Sequence, residues 1–188
     1  MNIPNLLTSF RVLLIPVIVL VFLQDFVWAG FCASMLFGLA SITDWLDGYL
    51  ARKLDQGSAF GAFLDPVADK LTVSVTLILI TMHYPTVTIA IATIIIIGRE
   101  IVISALREWM AKSGESDRVK VDGIGKWKTA AQMLAIGFLL GSATEPTSWG
   151  FWPGVVLLIV ATILTVWSMV GYLKSAMPVI LKSTKAIS

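Results

Sequence analysis

Four aspartates set the chemistry open to this chain. Asp44 and Asp47 stand three residues apart, and Gly61, Asp65 and Asp69 follow one another at intervals of four. Read as helices, these spacings put Asp44 and Asp47 on one face, with Gly48 and Ala51 within about 100° of it, and align Gly61, Asp65 and Asp69 in one stripe. Two helices joined by a tight turn can then point four acids at one space. Gly48 and Ala51 leave room there for a ligand, or let helices pack closely. Pro66 cannot donate to the Ala62 carbonyl, so a bend between Asp65 and Asp69 is expected.

The surroundings make these acids costly. Of 188 residues, 57% are hydrophobic and only 14% charged, and the mean hydropathy is +0.86. A soluble domain needs about a quarter of its residues charged, so this composition indicates a membrane protein. One Asp at the centre of a spanning helix costs roughly 2.5–3.5 kcal/mol, and four cost on the order of 10 kcal/mol before mutual repulsion. Protonation, pairing with Arg or Lys, and binding of divalent cations each offset that cost. In sequence only Arg52, Lys53 and Lys70 lie within about a turn of the acids. Two divalent ions would balance four carboxylates, and ligation by oxygen alone favours Mg²⁺ or Mn²⁺. A metal site, an ion-paired or protonated cluster, and an ion or proton path all fit the spacing. One cysteine, Cys32, and one histidine, His83, exclude a disulfide framework and any zinc or heme site of several Cys/His ligands. A net charge of +2 gives no ground for nucleic-acid binding.

The elements that must hold the acids follow from hydropathy. Apolar runs at about 12–23, 29–43, 71–82, 86–106, 130–142 and 151–173 predict an all-α bundle of six transmembrane helices. The first run has no basic segment before it and no cleavage pattern after it, so it is expected to be an uncleaved span. Ahead of it, Ile3, Leu6, Leu7 and Phe10 recur at helical spacing opposite Asn2, Asn5, Thr8 and Arg11. This predicts a short N-terminal amphipathic segment, lying at the interface or turning Asn5 and Thr8 inward to line a site. Three connections, at 24–28, 83–85 and 142–148, carry almost no basic charge. The tails and the loops near 53–59 and 108–127 hold most of the Lys and Arg. The positive-inside rule then puts both termini and those loops in the cytoplasm. With no internal repeat, low-complexity tract or second domain, residues 1–188 read as one membrane-embedded domain.

The run from Asp44 to Arg52, followed by Gly61, Asp65 and Asp69, matches the signature D-x2-D-G-x2-A-R-x8-G-x3-D-x3-D at all eight fixed positions. By this motif the chain resembles the CDP-alcohol phosphatidyltransferases. The runs NIPNLLTSFRVLLIP, FGAFLDPVADK, GREIVISALREWMA and GKWKTAAQM extend the resemblance over most of the chain. It implies a six-helix enzyme, commonly a homodimer, in a bacterial inner membrane among its lipids, with a polar cavity open to the cytoplasm. It further implies that Asp44, Asp47, Asp65 and Asp69 bind two divalent cations, with Asp69 also the general base. Gly48, Arg52 and Ser58 are similar to positions that hold the CDP moiety, and Thr8 is expected to join them. The implied reaction displaces CMP from CDP-diacylglycerol.

The acceptor depends on other residues. Arg99 falls inside the fourth apolar run, Arg107 two turns later and within about 80° of it on a helical wheel, and Lys126 and Lys128 precede the fifth run. Lys126 and Lys128 also suit cytoplasmic anchoring, and Arg99 also suits an ion pair with Glu100, Glu108 or the acids. Together the four cations would bind a phosphomonoester dianion, which favours a phosphorylated acceptor over serine or choline. They do not separate glycerol phosphate from inositol phosphate; the resemblance favours sn-glycerol 3-phosphate. The alternative from another class is a divalent-cation or proton transporter, which gains nothing from Arg52 beside the acids. His83 is expected in an outer turn, Cys32 in packing, and Trp28, Trp109, Trp127, Trp149 and Trp152 at the interfaces.

Overall fold

The computed structural model describes residues 3–54, 59–113, 124–143 and 149–185. The described chain is helical throughout: α1 Ile3–Phe22, α2 Ala29–Leu54, α3 Ala59–His83, α4 Val87–Lys112, α5 Ile124–Gly141 and α6 Phe151–Lys185. Three of these, over Ala29–Leu46, Val87–Lys112 and Phe151–Val179, are long and apolar enough to cross a membrane. The protein is accordingly a membrane protein. Helix α3 starts twelve residues before the apolar run at 71–82 and passes unbroken through Pro66, so both acids and Lys70 are helical. Helix α4 begins at Thr86, whose hydroxyl accepts from the Ile89 amide, and runs on to Lys112, shortening the expected cytoplasmic excursion.

The bundle exposes large apolar side chains and buries several polar ones. Leu13, Ile94, Ile101, Ile163 and Trp167 are exposed, whereas Thr8, Arg11, Thr76, Arg99, Lys128 and Thr165 are buried. Buried hydroxyls turn back onto their own helices: Thr72 donates to Ala68 O, Thr76 to Thr72 O, and Thr43 to Leu39 O. Other polar groups join helices. Ser34 donates to Gly137 O at 2.8 Å, between α2 and α5, and the Thr81 and Thr93 hydroxyls meet at 2.8 Å, between α3 and α4.

Helix α1 packs on α2 and α3, α2 on α5, and α6 on α4 and α5. The apolar core runs through Ile18, Phe37, Leu77, Ile80, Ile96, Ile136, Leu139 and Leu158. At one end of the bundle Tyr84 packs on Phe151 with ring centres 4.9 Å apart and lies beside His83, the last residue of α3. Burial pushes the Tyr84 phenol up to about 12, so it stays protonated and faces the Leu139 carbonyl as a donor at 3.5 Å.

The N-terminal segment is the main difference from expectation. It is the first part of one 20-residue helix, α1, and not a separate interfacial element. Leu6 and Phe10 point outward, while Thr8 and Arg11 are buried against α3 and α2. The physical reason is pairing, since each buried polar group meets a carboxylate that would otherwise carry its desolvation cost alone.

Candidate active site

The polar residues gather where the N-terminal half of α1, the C-terminal half of α2 and the N-terminal half of α3 meet. Asp44 on α2 and Asp69 on α3 line one small open cavity with Arg11, Ser41 and Thr72. Arg11 Nη1 lies 2.7 Å from Asp44 Oδ1; the arginine is buried and the aspartate about half exposed. Asp65 accepts a 2.6 Å hydrogen bond from the Thr8 hydroxyl, tying α1 to α3. Asp47, Gly48 and Arg52 belong to α2, with side chains outside those described, and Ser58 lies outside the described residues.

Two members of this arrangement depart from the sequence reading. Arg11, which the sequence reading did not name as a partner, supplies a cation to the acids, and it offsets one of their four charges. Its signal was an arginine three residues from Thr8 on the polar side of an apolar helix. Lys70 is directed away from the acids, its Nζ donating to Ser104 on α4.

These residues suit a hard divalent cation in their chemistry. Asp44 and Asp69 offer oxygen donors from facing helices to one space, and Asp65 is oriented by a hydroxyl as metal-ligating carboxylates commonly are. A carboxylate has two oxygens and about four lone-pair sites, so Asp44 can keep Arg11 and still ligate. Among the described residues no group of three or more acid, His or Cys side chains is close enough to hold a metal ion. Asp47, the fourth expected ligand, is not among them.

A second polar cluster lies beside the first, built from α4, α5 and α6. Arg99, buried, donates from Nη1 to Glu100 Oε1 at 2.8 Å and from Nη2 to Ser168 Oγ at 3.0 Å. Lys128, also buried, donates to the same Glu100 oxygen at 2.7 Å. Arg107 is exposed and donates to the Tyr172 hydroxyl at 2.9 Å. Lys126 is on α5 with its side chain outside those described. The ion pair weighed for Arg99 is thus present, and Glu100 holds Lys128 as well. Ser168 and Tyr172 were not expected from sequence; the only hint was that they stand four apart in an otherwise apolar helix.

Asp69 lines the cavity of the first cluster and lies within electrostatic reach of Glu100 and Lys128 in the second. That arrangement can hold a polyphosphate through cations on one side, an anionic second substrate on the other, and a proton acceptor within reach of both.

A model of the CDP-alcohol phosphatidyltransferase family matches residues 1–167. The chain is 50% identical over 175 residues to the CDP-diacylglycerol–glycerol-3-phosphate 3-phosphatidyltransferase of Salmonella choleraesuis (strain SC-B67), covering 93% of this chain and 94% of the relative. The enzymes of the same name from Escherichia coli (strain K12) and Shigella sonnei (strain Ss046) are 50% identical over the same shares.

Proposed function

Since this chain belongs to the CDP-alcohol phosphatidyltransferase family, we propose that it transfers the phosphatidyl group of CDP-diacylglycerol to sn-glycerol 3-phosphate, giving phosphatidylglycerol phosphate and CMP. The observation that carries this reading is 50% identity across 93% of the chain to enzymes named for that reaction. The meeting of Asp44 and Asp69 at one cavity supports it.

In this reading Asp44, Asp47, Asp65 and Asp69 hold two divalent cations, Mg²⁺ or Mn²⁺, which when bound screen the diphosphate and stabilise the departing CMP. Gly48 gives the nucleotide close approach, Arg52 adds a forked donor set for a phosphate, and Ser58 and Thr8 complete the CDP site. Arg99, Arg107, Lys126 and Lys128 bind the phosphate of the acceptor and bring its free hydroxyl to Asp69. Asp69 takes the hydroxyl proton as the oxygen bonds to the lipid-bearing phosphorus and the bond from that phosphorus to CMP breaks. The place of Asp69 on the cavity that it shares with Asp44 and Arg11 supports its role as base.

The whole chain acts as one domain, with all six helices spanning. The shortest, α5, has 18 residues, about 27 Å at 1.5 Å per residue, close to the roughly 30 Å hydrocarbon core. The basic residues at the ends of α2, α4 and α6 and at the start of α5 support cytoplasmic placement of both termini and the site in a bacterial inner membrane. We take the active form to be a homodimer, as is common in the family.

The test is purified protein in detergent with CDP-diacylglycerol and a panel of acceptors, measuring CMP and lipid product, before and after EDTA and after restoring Mg²⁺ or Mn²⁺. Product with sn-glycerol 3-phosphate, lost in EDTA and regained with metal, is expected. Product only with inositol phosphate or serine would overturn the acceptor, and CMP release indifferent to EDTA would overturn the metal site.

A further inference from the structure

The two arginines of the acceptor cluster share a single aromatic partner. The Tyr172 ring centre lies 5.6 Å from Arg99 Cζ and 5.1 Å from Arg107 Cζ, and the Tyr172 hydroxyl accepts from Arg107 Nη2 at 2.9 Å. Ser168, one turn earlier on α6, accepts from Arg99 Nη2 while donating its own proton to Thr165 O at 3.1 Å. Two cations on one helix face repel, and a long exposed side chain such as Arg107 has many rotamers to lose. The negative face of one ring attracts both guanidinium groups, and the hydroxyl fixes the outer one. Each guanidinium has five N–H donors. After these contacts both retain donors for a further anion.

The contacts that the two arginines share come from α6. Ser168 and Tyr172 follow residue 167, where the match to the family as a whole ends. Glu100, the other partner of Arg99, lies within the shared stretch.

We propose that Tyr172 is a positioning residue that sets Arg99 and Arg107 as a paired clamp for the phosphate of the acceptor, selecting phosphomonoester dianions over alcohols without phosphate. This rests on the reading of Arg99 and Arg107 as the acceptor phosphate site. Tyr172 also packs against Met110 and Ala176, so its test must separate positioning from packing. Tyr172→Phe keeps the ring and removes the hydroxyl; Tyr172→Leu removes both. Steady-state kinetics of the full chain in detergent, varying sn-glycerol 3-phosphate and CDP-diacylglycerol separately, give the readout. Tyr172→Phe should raise the acceptor KM about tenfold, as loss of one hydrogen bond to a charged donor does. Tyr172→Leu should raise it about tenfold more through loss of the ring face. KM for CDP-diacylglycerol should stay within about twofold, and kcat/KM for glycerol relative to sn-glycerol 3-phosphate should rise in both.

Equal rises in both KM values, or an unchanged acceptor KM, would overturn the proposal. If Tyr172→Leu does not fold, Tyr172→Phe and Ser168→Ala decide, since both leave the packing intact. Arg107→Gln tests the underlying reading separately. Unchanged acceptor KM in that variant removes the phosphate site and the clamp together. A raised acceptor KM there, with both Tyr172 variants unaltered, removes only the role of Tyr172.

Discussion

Replacing Thr8 by valine is the most informative perturbation of the acid cluster. Valine keeps the volume and branching of threonine, so the 1% exposed position remains filled, while the donor 2.6 Å from Asp65 Oδ1 is lost. A hydrogen bond to a charged group is worth about 1.5–3 kcal/mol net, which is roughly 10- to 150-fold in an equilibrium constant. Removing a group that orients a metal-ligating side chain usually costs about 10- to 100-fold in metal affinity. The two estimates overlap, so Thr8→Val should raise the Mn²⁺ concentration for half-maximal activity about 10- to 100-fold. Thr8→Ser, which restores the hydroxyl, should return most of it. The assay is CMP release from EDTA-treated enzyme titrated with Mn²⁺, together with the unfolding midpoint over the same titration, which reports metal binding without turnover. If Thr8→Val and wild type share one Mn²⁺ dependence within a factor of two in both measurements, Asp65 is not a ligand oriented by Thr8. A rise in KM for CDP-diacylglycerol alone would then assign Thr8 to the nucleotide site.

Asp69→Asn should keep CDP-diacylglycerol binding measurable while reducing turnover by at least about 100-fold, the usual contribution of a general base; full activity would remove Asp69 from the mechanism. Arg11→Met breaks an ion pair whose cation is buried and whose acid is about half exposed. The loss in EDTA should fall below the roughly 3–5 kcal/mol of a fully buried pair, and should narrow as Mn²⁺ takes over neutralisation of the acids; a deficit independent of metal would place Arg11 outside their field. Gly154→Ala tests the contact of α5 with α6, because an added Cβ would lie 2.8 Å from Leu139 Cγ and 3.2 Å from its backbone nitrogen. Overpacking should cost about 1–3 kcal/mol, read as a lower unfolding midpoint in detergent with both KM values unchanged; a midpoint equal to wild type would show that Leu139 yields freely.

The helical architecture was legible because each helix carries a continuous apolar run, and apolar length is a local property. The first half of α3 was legible only from the helical spacing of Gly61, Asp65 and Asp69, since it holds Asp65, Pro66, Asp69 and Lys70, which a hydropathy window scores as a break. Those residues remain helical because the bundle supplies partners such as Thr8 and Ser104. For the N-terminal segment the sequence left two readings open, an interfacial lead-in or an inward-facing polar side, and the structure turns Thr8 and Arg11 inward to two carboxylates on other helices. Likewise Arg99 was recognised as a costly intramembrane cation with Glu100 among its possible partners, but not that Lys128 would be buried and bind the same carboxylate.

The sequence by itself determined where charge is scarce, which acids share a helix face, and through them the signature of the CDP-alcohol phosphatidyltransferases. Those are matters of spacing along one chain, and helical periodicity converts spacing directly into geometry. Only the tertiary structure decided which opposite charges meet. Arg11 pairs with Asp44, Thr8 with Asp65, and Tyr172 with both Arg99 and Arg107. Each of those contacts joins residues 33 or more positions apart in different helices. In a nearly charge-free bundle a buried ionic group takes whichever partner the packing brings within hydrogen-bond distance, and sequence separation carries no information about that.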